Sequence, residues 1–195
     1  QAAAANITCA IRALNRDPAN TRTIFNEDVQ PGKINNILGD YSLGCQSSIT
    51  LGQNGLSTAL NNPVGLVNDG TNMYVSDFTN HCIVKIDANN VVSNFIGRCG
   101  TAGSSDGVGN GDNTTNPTLV TYPMQMVMDP LNPNNFFYIE GHNQAIGKIH
   151  YANTSASAVS FAVGSAIGKG AGQVGTSTLW SFSPASTTSR INGIT

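Results

Sequence analysis

Only 10% of the 195 residues are charged and the formal net charge is −2, against roughly 25% charged residues in a typical soluble domain. So few Lys and Arg leave no electrostatic footprint for nucleic acid, and no run of about eighteen apolar residues exists to span a membrane. The length suits one domain of about two hundred residues, and Asn, Ser, Thr and Gly keep its surface polar in place of ions, a habit of chains outside cells.

In chain order, Gln1-Ala2-Ala3-Ala4-Ala5 is too short for a signal peptide and is compatible with the remainder of one after cleavage. Cys9 to Leu14, Thr23-Ile24-Phe25 and Ile34-Asn35-Asn36-Ile37-Leu38-Gly39 read as three strands. Against the repeat that follows, they take the second, third and fourth places of a partial blade, residues 9–40.

Residues 63–97 are the most informative stretch. Val64 to Val67 is a short apolar run, and Asn68-Asp69-Gly70-Thr71-Asn72 is dense in turn formers, with Asp-Gly a strong hairpin signal. Met73-Tyr74-Val75 is aromatic and β-branched, and Asp77-Phe78-Thr79-Asn80 turns the chain again. Ile83, Val84 and Ile86 resume the strand, and Asn89-Asn90 leads into Val91 to Ile96. Four antiparallel strands joined by tight turns make one blade of a β-propeller. Val64, Leu66, Met73, Val75, Ile83, Ile86, Val92 and Phe95 are expected to be buried between adjacent sheets, because facing sheets cover alternate residues on both sides.

The pattern returns. Pro63 recurs as Pro123, 60 residues on. Met124 to Asp129 matches the first strand, Phe136 to Glu140 the second and Ala145 to His150 the third, with Ile149 over Ile86. Val159 to Gly164 matches the fourth, closing a blade over 123–164. Fourth strands end alike, in Ile37-Leu38-Gly39, Phe95-Ile96-Gly97 and Ala162-Val163-Gly164. Ile191-Asn192-Gly193-Ile194-Thr195 resembles Val64-Gly65-Leu66-Val67, so 190–195 is expected to be the first strand of a further blade. The chain thus holds about three blades' worth of strands, fewer than the four to eight of a closed propeller. Either missing blades belong to a longer chain, or other copies complete the ring, with the terminal strand lying against Ala10 to Leu14. Segments 40–62, 98–122 and 165–189 are expected to be inter-blade loops on one edge.

Pro63-Val64-Gly65-Leu66-Val67, then Asp69-Gly70-Thr71-Asn72-Met73-Tyr74-Val75-Ser76-Asp77 and Asn80-His81-Cys82-Ile83 resemble the NHL repeat, named for its Asn-His-Leu signature. The match covers 62–98 well, 119–164 less well and 9–40 faintly. Asn143-Gln144 stands where the second copy should have Asn-His, and Pro130 to Asn135 is inserted between its first two strands. The resemblance implies an all-β propeller segment and says little about activity, since propellers host many unrelated functions. It also implies that His81 braces the turn between strands.

The four cysteines, Cys9, Cys45, Cys82 and Cys99, contain no Cys-x-x-Cys pair, which argues against a zinc or thioredoxin-like site and for two disulfides in an oxidising compartment. Cys9 with Cys45 and Cys82 with Cys99 would each staple one blade; Cys45 with Cys99 is the rival pairing. Sequons begin at Asn6, Asn113 and Asn153, the last two where the repeat places surface loops. Thr176 to Ser189 reads as an O-glycosylated stretch or an irregular polar loop.

Catalytic chemistry is hard to find. His81 and His142 fall in matching turns, and the amidating-lyase branch of NHL-like enzymes places channel histidines on zinc. A catalytic zinc usually needs three protein ligands, and the third histidine, His150, ends a third strand away from the channel. Asp106, Asn110 and Asp112 alternate with glycines as candidate calcium ligands, but Val108 and Pro117 break the EF-hand pattern. No Gly-x-Ser-x-Gly elbow occurs. Asp69, Asp87 and Asp129 read as turn formers. The sequence therefore points to a non-catalytic extracellular or cell-surface module for protein or glycan contact or for assembly, with no cofactor. A metal-dependent lyase is the alternative.

Overall fold

β-Branched and aromatic residues in short runs, separated by Asn, Asp and Gly, give strands and almost nothing else. The structure, a computed structural model, describes residues 9–47, 49–103, 107–108, 118–128, 135–140, 148–153 and 158–163. Its strands are β1 (Ile11–Leu14), β2 (Arg22–Ile24), β3 (Glu27–Val29), β4 (Ile34–Leu38), β5 (Pro63–Asn68), β6 (Met73–Asp77), β7 (Cys82–Ile86), β8 (Val92–Gly97), β9 (Gly107–Val108), β10 (Pro123–Met128), β11 (Asn135–Glu140), β12 (Lys148–Asn153) and β13 (Ala158–Val163). All pairings between them are antiparallel. A 3-10 turn at Gly55–Ser57 is the helical element among the described residues, and no helix there is long and apolar enough to cross a membrane. Asn6, Asp106, Asn110, Asp112, Asn113, His142 and residues 190–195 lie outside the described residues.

The middle unit is a four-stranded meander, β5-β6-β7-β8. Every residue of β6 is buried, because both faces of the sheet are covered. Alternation divides its side chains. Tyr74 joins Val67, Ile83, Phe95, Ile96, Val120, Met126 and Tyr138 in one core, while Met73 and Val75 join Ile37, Leu38, Leu60, Val84, Ile86 and Val92 in the other. The first core lies toward the C-terminal unit, whose β10 packs on β5 and β6. The second lies toward the N-terminal unit.

Three bulges show the repeat most clearly. Register shifts between Ile11 and Arg12, between Ile83 and Val84, and between Ile149 and His150. Each shift leaves an extra residue on the facing strand. That lets neighbours in sequence, Phe95 with Ile96 and Ile37 with Leu38, enter the same core. In two units an Asn closes the bulge: Asn36 donates to the Gly39 carbonyl and Asn94 to that of Gly97. Gly39 and Gly97 have φ of +99° and +80°, and an added Cβ would strike the backbone of Cys9 and of His81 respectively.

This correspondence corrects three expectations. First, Ile11–Leu14 pairs directly with Ile34–Leu38, and β2–β3 is a separate hairpin inserted between them. β1 therefore matches β7, the third place, and not the second; among the described residues the N-terminal unit has third and fourth strands and none in the second and first places. Second, the third strand of the C-terminal unit begins at Lys148, opposite Glu140 as Cys82 is opposite Asp77. Ile149 takes the place of Ile83 rather than Ile86, and His150 lies inside the strand, because Lys148 follows Glu140 at a greater distance along the sequence than Cys82 follows Asp77. Third, Gly107–Val108, read as loop, adds a fifth strand beside β13.

Cys9 is bonded to Cys45 and Cys82 to Cys99, with Cα atoms 5.0 and 4.9 Å apart. Each bond joins the start of a third-place strand to the segment after the fourth. The loops they close, of 36 and 17 residues, correspond to about 3–4 kcal/mol each from loss of unfolded-chain entropy.

Candidate functional site

Two regions gather polar or apolar groups that the strands alone do not need. The first is a corner repeated in two units. Asp77, buried at the end of β6, accepts the backbone N–H of Asn61 at 2.8 Å and the side-chain amide of Asn80 at 2.8 Å. Burial pushes its pKa up to about 6 against the pull of those two bonds. Glu140, buried at the end of β11, accepts the backbone N–H of Thr121 at 2.9 Å. Each acid thus holds the chain two residues before a proline, Pro63 or Pro123. Asn62 and Tyr122, which precede those prolines, share a positive φ of 67° and 53°.

His81 sits between the two corners. Its Nδ1 accepts the backbone N–H of Tyr122 at 3.3 Å, and its ring lies 4.5 Å from the Tyr122 ring, which stacks on Phe78 at 4.7 Å. Burial holds the imidazole below its usual range, and the charge of Glu140 opposes that shift. A neutral ring with Nδ1 occupied ties the middle unit to the C-terminal one. Among the described residues no three His, Cys, Asp or Glu side chains converge to hold a metal. Sequence alone matches Glu140 to Asp77 across the repeat and reads Asp77 as the start of a turn; the buried anchoring role of the two acids comes from the structure.

The second region is an uncovered face. Val64 and Leu66 are each 45% exposed, contrary to the expectation of burial. Leu66 pairs with Val75 in register and so shares its face, yet Val75 is fully buried. β10 covers the opposite face of β5, where Gly65 and Val67 are buried and an added Cβ on Gly65 would meet the Met124 backbone. For Val64 and Leu66 the equivalent cover would be the first and second strands of the N-terminal unit, places that no described strand fills. Among the described residues β1 pairs with β4 alone. Among the described residues, then, Ile11–Leu14 has one unpaired edge, and Val64 and Leu66 are uncovered on the face of the middle sheet that carries Val75.

Of the remaining candidates, Asn153 is the last residue of β12, paired with Asn135, rather than part of a loop.

No family model matches the chain, and no curated protein matches it either. A chain in a solved structure of a nidogen/laminin complex is similar at 12% identity and a TM-score of 0.33, over 81% of this chain and 59% of that one. The present chain therefore spans less than two thirds of that chain's length.

Proposed function

We propose that the chain is a non-catalytic extracellular β-propeller module of NHL type that works by accepting a β-strand from another stretch of polypeptide. The observation that carries this reading is the edge of β1 left unpaired among the described residues, together with the uncovered Val64 and Leu66 on the face that carries Val75. Strand addition to a free edge supplies backbone hydrogen bonds for affinity and side-chain pockets for specificity. Left open, such an edge is an aggregation hazard. Two disulfides and the low charge support an oxidising, extracellular setting, with Asn6 and Asn113 as glycan acceptors.

The strand that fits must have second-place character, an aromatic-aliphatic run ending in an acid, as in Met73–Asp77 and Asn135–Glu140. Residues 164–195 contain no Tyr, Asp or Glu. They therefore lack such a run, and because β1 holds the third place its free edge calls for a second-place strand rather than a first-place one such as Ile191–Ile194 is expected to be. Among the described residues a metal-dependent lyase draws no support from His81, whose Nδ1 accepts the Tyr122 N–H.

A synthetic peptide copying Asn72 to Thr79, the chain's own second strand, tests the reading. Saturable binding that slows hydrogen exchange at the β1 amides facing away from β4 is expected. Absence of binding, or binding that leaves β1 exchange unchanged, would overturn it. The intact mass of the native protein, set against 20.3 kDa for these residues, shows whether the strand is covalently attached.

A further inference from the structure

The β2–β3 hairpin is an insertion that the sheets do not require. In the middle unit the third and fourth strands are joined by the short turn Asp87–Val91, whereas Asn15–Lys33 makes the same connection in the N-terminal unit. Its tip leans on the neighbouring unit's turns and forms a cleft of about 380 Å³ lined by Thr23, Ile24, Phe25, Asn26, Asn68, Gly70, Thr71 and Ala88. That volume lies within the range of small-molecule sites.

The cleft is preformed. Asn15 donates to the carbonyl of Val29 and Asn35 to that of Asp28, fixing the hairpin to its own unit. Glu27 accepts from the amide of Asn90, fixing it to the next. At the tip, Phe25 and Asn26 have φ of 47° and 60°, the two-residue turn that Asn-Gly ordinarily fills. A bulky residue at positive φ costs about 1–2 kcal/mol, so the aromatic ring is held there against a local preference for Gly. Phe25 is half-buried, packed on the second core at one side and on the cleft at the other.

The lining has no Lys, Arg, Asp or Glu. Asp69, in the adjacent turn, is turned inward: its carboxylate takes the N–H groups of Thr71 and Asn72, the Asn72 amide and the Tyr74 hydroxyl. Ionic ligands therefore find no counter-charge. The Asn68 Oδ1 accepts from the Gly70 N–H, leaving its Nδ2 free, and the side chains of Asn26 and Thr71 make no hydrogen bond within the described residues. One aromatic face ringed by amide and hydroxyl groups matches a sugar, whose C–H face stacks on the ring while its hydroxyls meet amides.

We propose that this cleft binds a neutral carbohydrate, with a pyranose laid on Phe25 and its hydroxyls taken by Asn26, Asn68 and Thr71. The site lies apart from the β1 edge and deepens the extracellular interaction reading, on which it rests only for the presence of glycan. The full chain is titrated with mannose, galactose and N-acetylglucosamine and with their oligosaccharides at millimolar concentration, and amide chemical shifts are followed. Saturable shifts at Phe25, Asn26, Asn68 and Thr71 are expected with at least one of them. Phe25→Gly relieves the backbone while removing the platform along with its packing on the second core, so affinity should fall by about tenfold or more with the fold retained in the amide spectrum. Asn68→Asp keeps the acceptor for Gly70 and removes both donors, and should weaken binding as well. No saturable shift with any neutral saccharide, binding that survives Phe25→Gly, or a cleft that takes only peptide would overturn the proposal. Loss of sugar binding with intact strand binding at β1 would leave the proposed function standing.

Discussion

The carboxylate of Asp77 holds the backbone N–H of Asn61 across a buried corner, and one unit later Glu140 holds that of Thr121 in the same way. A loop running from one sheet to the next has no ladder to satisfy its N–H groups, so a buried acceptor at the end of the second strand does so. The acid is an anchor for the chain's arrival at each innermost strand.

That anchor makes stability pH-dependent. Burial raises the folded-state pKa of Asp77 from 3.8 to about 6. Between those values the folded protein keeps a proton that the unfolded chain has released, so stability is fully present below the lower pKa and is lost as pH rises through the upper one. Relative to Asp77→Asn, which does not titrate, the wild type should lose up to about 3 kcal/mol between pH 4 and pH 7. Parallel melting curves of the two proteins across that range check it; a constant difference would refute the assignment.

Glycines at the ends of fourth strands should be irreplaceable where turn glycines are not. Gly97 has φ +80°, and an added Cβ would lie 2.7 Å from the His81 carbonyl oxygen; Gly70 has φ +94° with open space around it. Gly70→Ala should cost about 1 kcal/mol, the conformational penalty alone. Gly97→Ala should exceed that by about 2 kcal/mol or more, because the obstacle is backbone. Urea denaturation of both variants decides the order.

The two faces of β5 should respond differently to the same change. Val67 is buried against the C-terminal unit and Leu66 is half-exposed. Val67→Thr buries an extra hydroxyl and should cost about 1–2 kcal/mol, whereas Leu66→Thr should stay within about 0.5 kcal/mol. When the strand-bearing peptide is added, Leu66→Thr should weaken its binding. Equal losses of stability at the two positions would mean that the open face is covered.

Removing a disulfide should be costly in either unit. Replacing Cys82 and Cys99 together by Ala should lower stability by about 3 kcal/mol, and replacing Cys9 and Cys45 by about 4 kcal/mol, in keeping with loops of 17 and 36 residues. Equilibrium unfolding with and without reductant gives the same comparison on the native chain.

The repeat was legible where local chemistry is strict. The positive φ of Gly39 and Gly97 and their contact with neighbouring backbone admit no side chain, so the apolar-apolar-Gly ending stands out in sequence. Tyr74-Val75 and Tyr138-Ile139 were visible as second strands for a related reason, since all four residues are fully buried. The place of Ile11–Leu14 was not legible. Its partner lies beyond the excursion Asn15–Lys33, and a strand's rank in a sheet is a property of its neighbours, not of its residues. The cleft at Phe25 was missed because Thr23-Ile24-Phe25 reads as strand, whereas Phe25 sits at the turn.

By itself, then, the sequence determined the strands, the turns between them and the period with which they return, because alternation, Asn/Asp turns and obligatory glycines act within a few residues. Tertiary structure alone decided which faces are covered. Alternation at Val64, Gly65, Leu66 and Val67 marks two sides equally, and only the arrival of β10 on one side, with no described strand arriving on the other, makes Val67 core and Leu66 surface. Burial depends on what other segments bring to a face, and that is not written in the face.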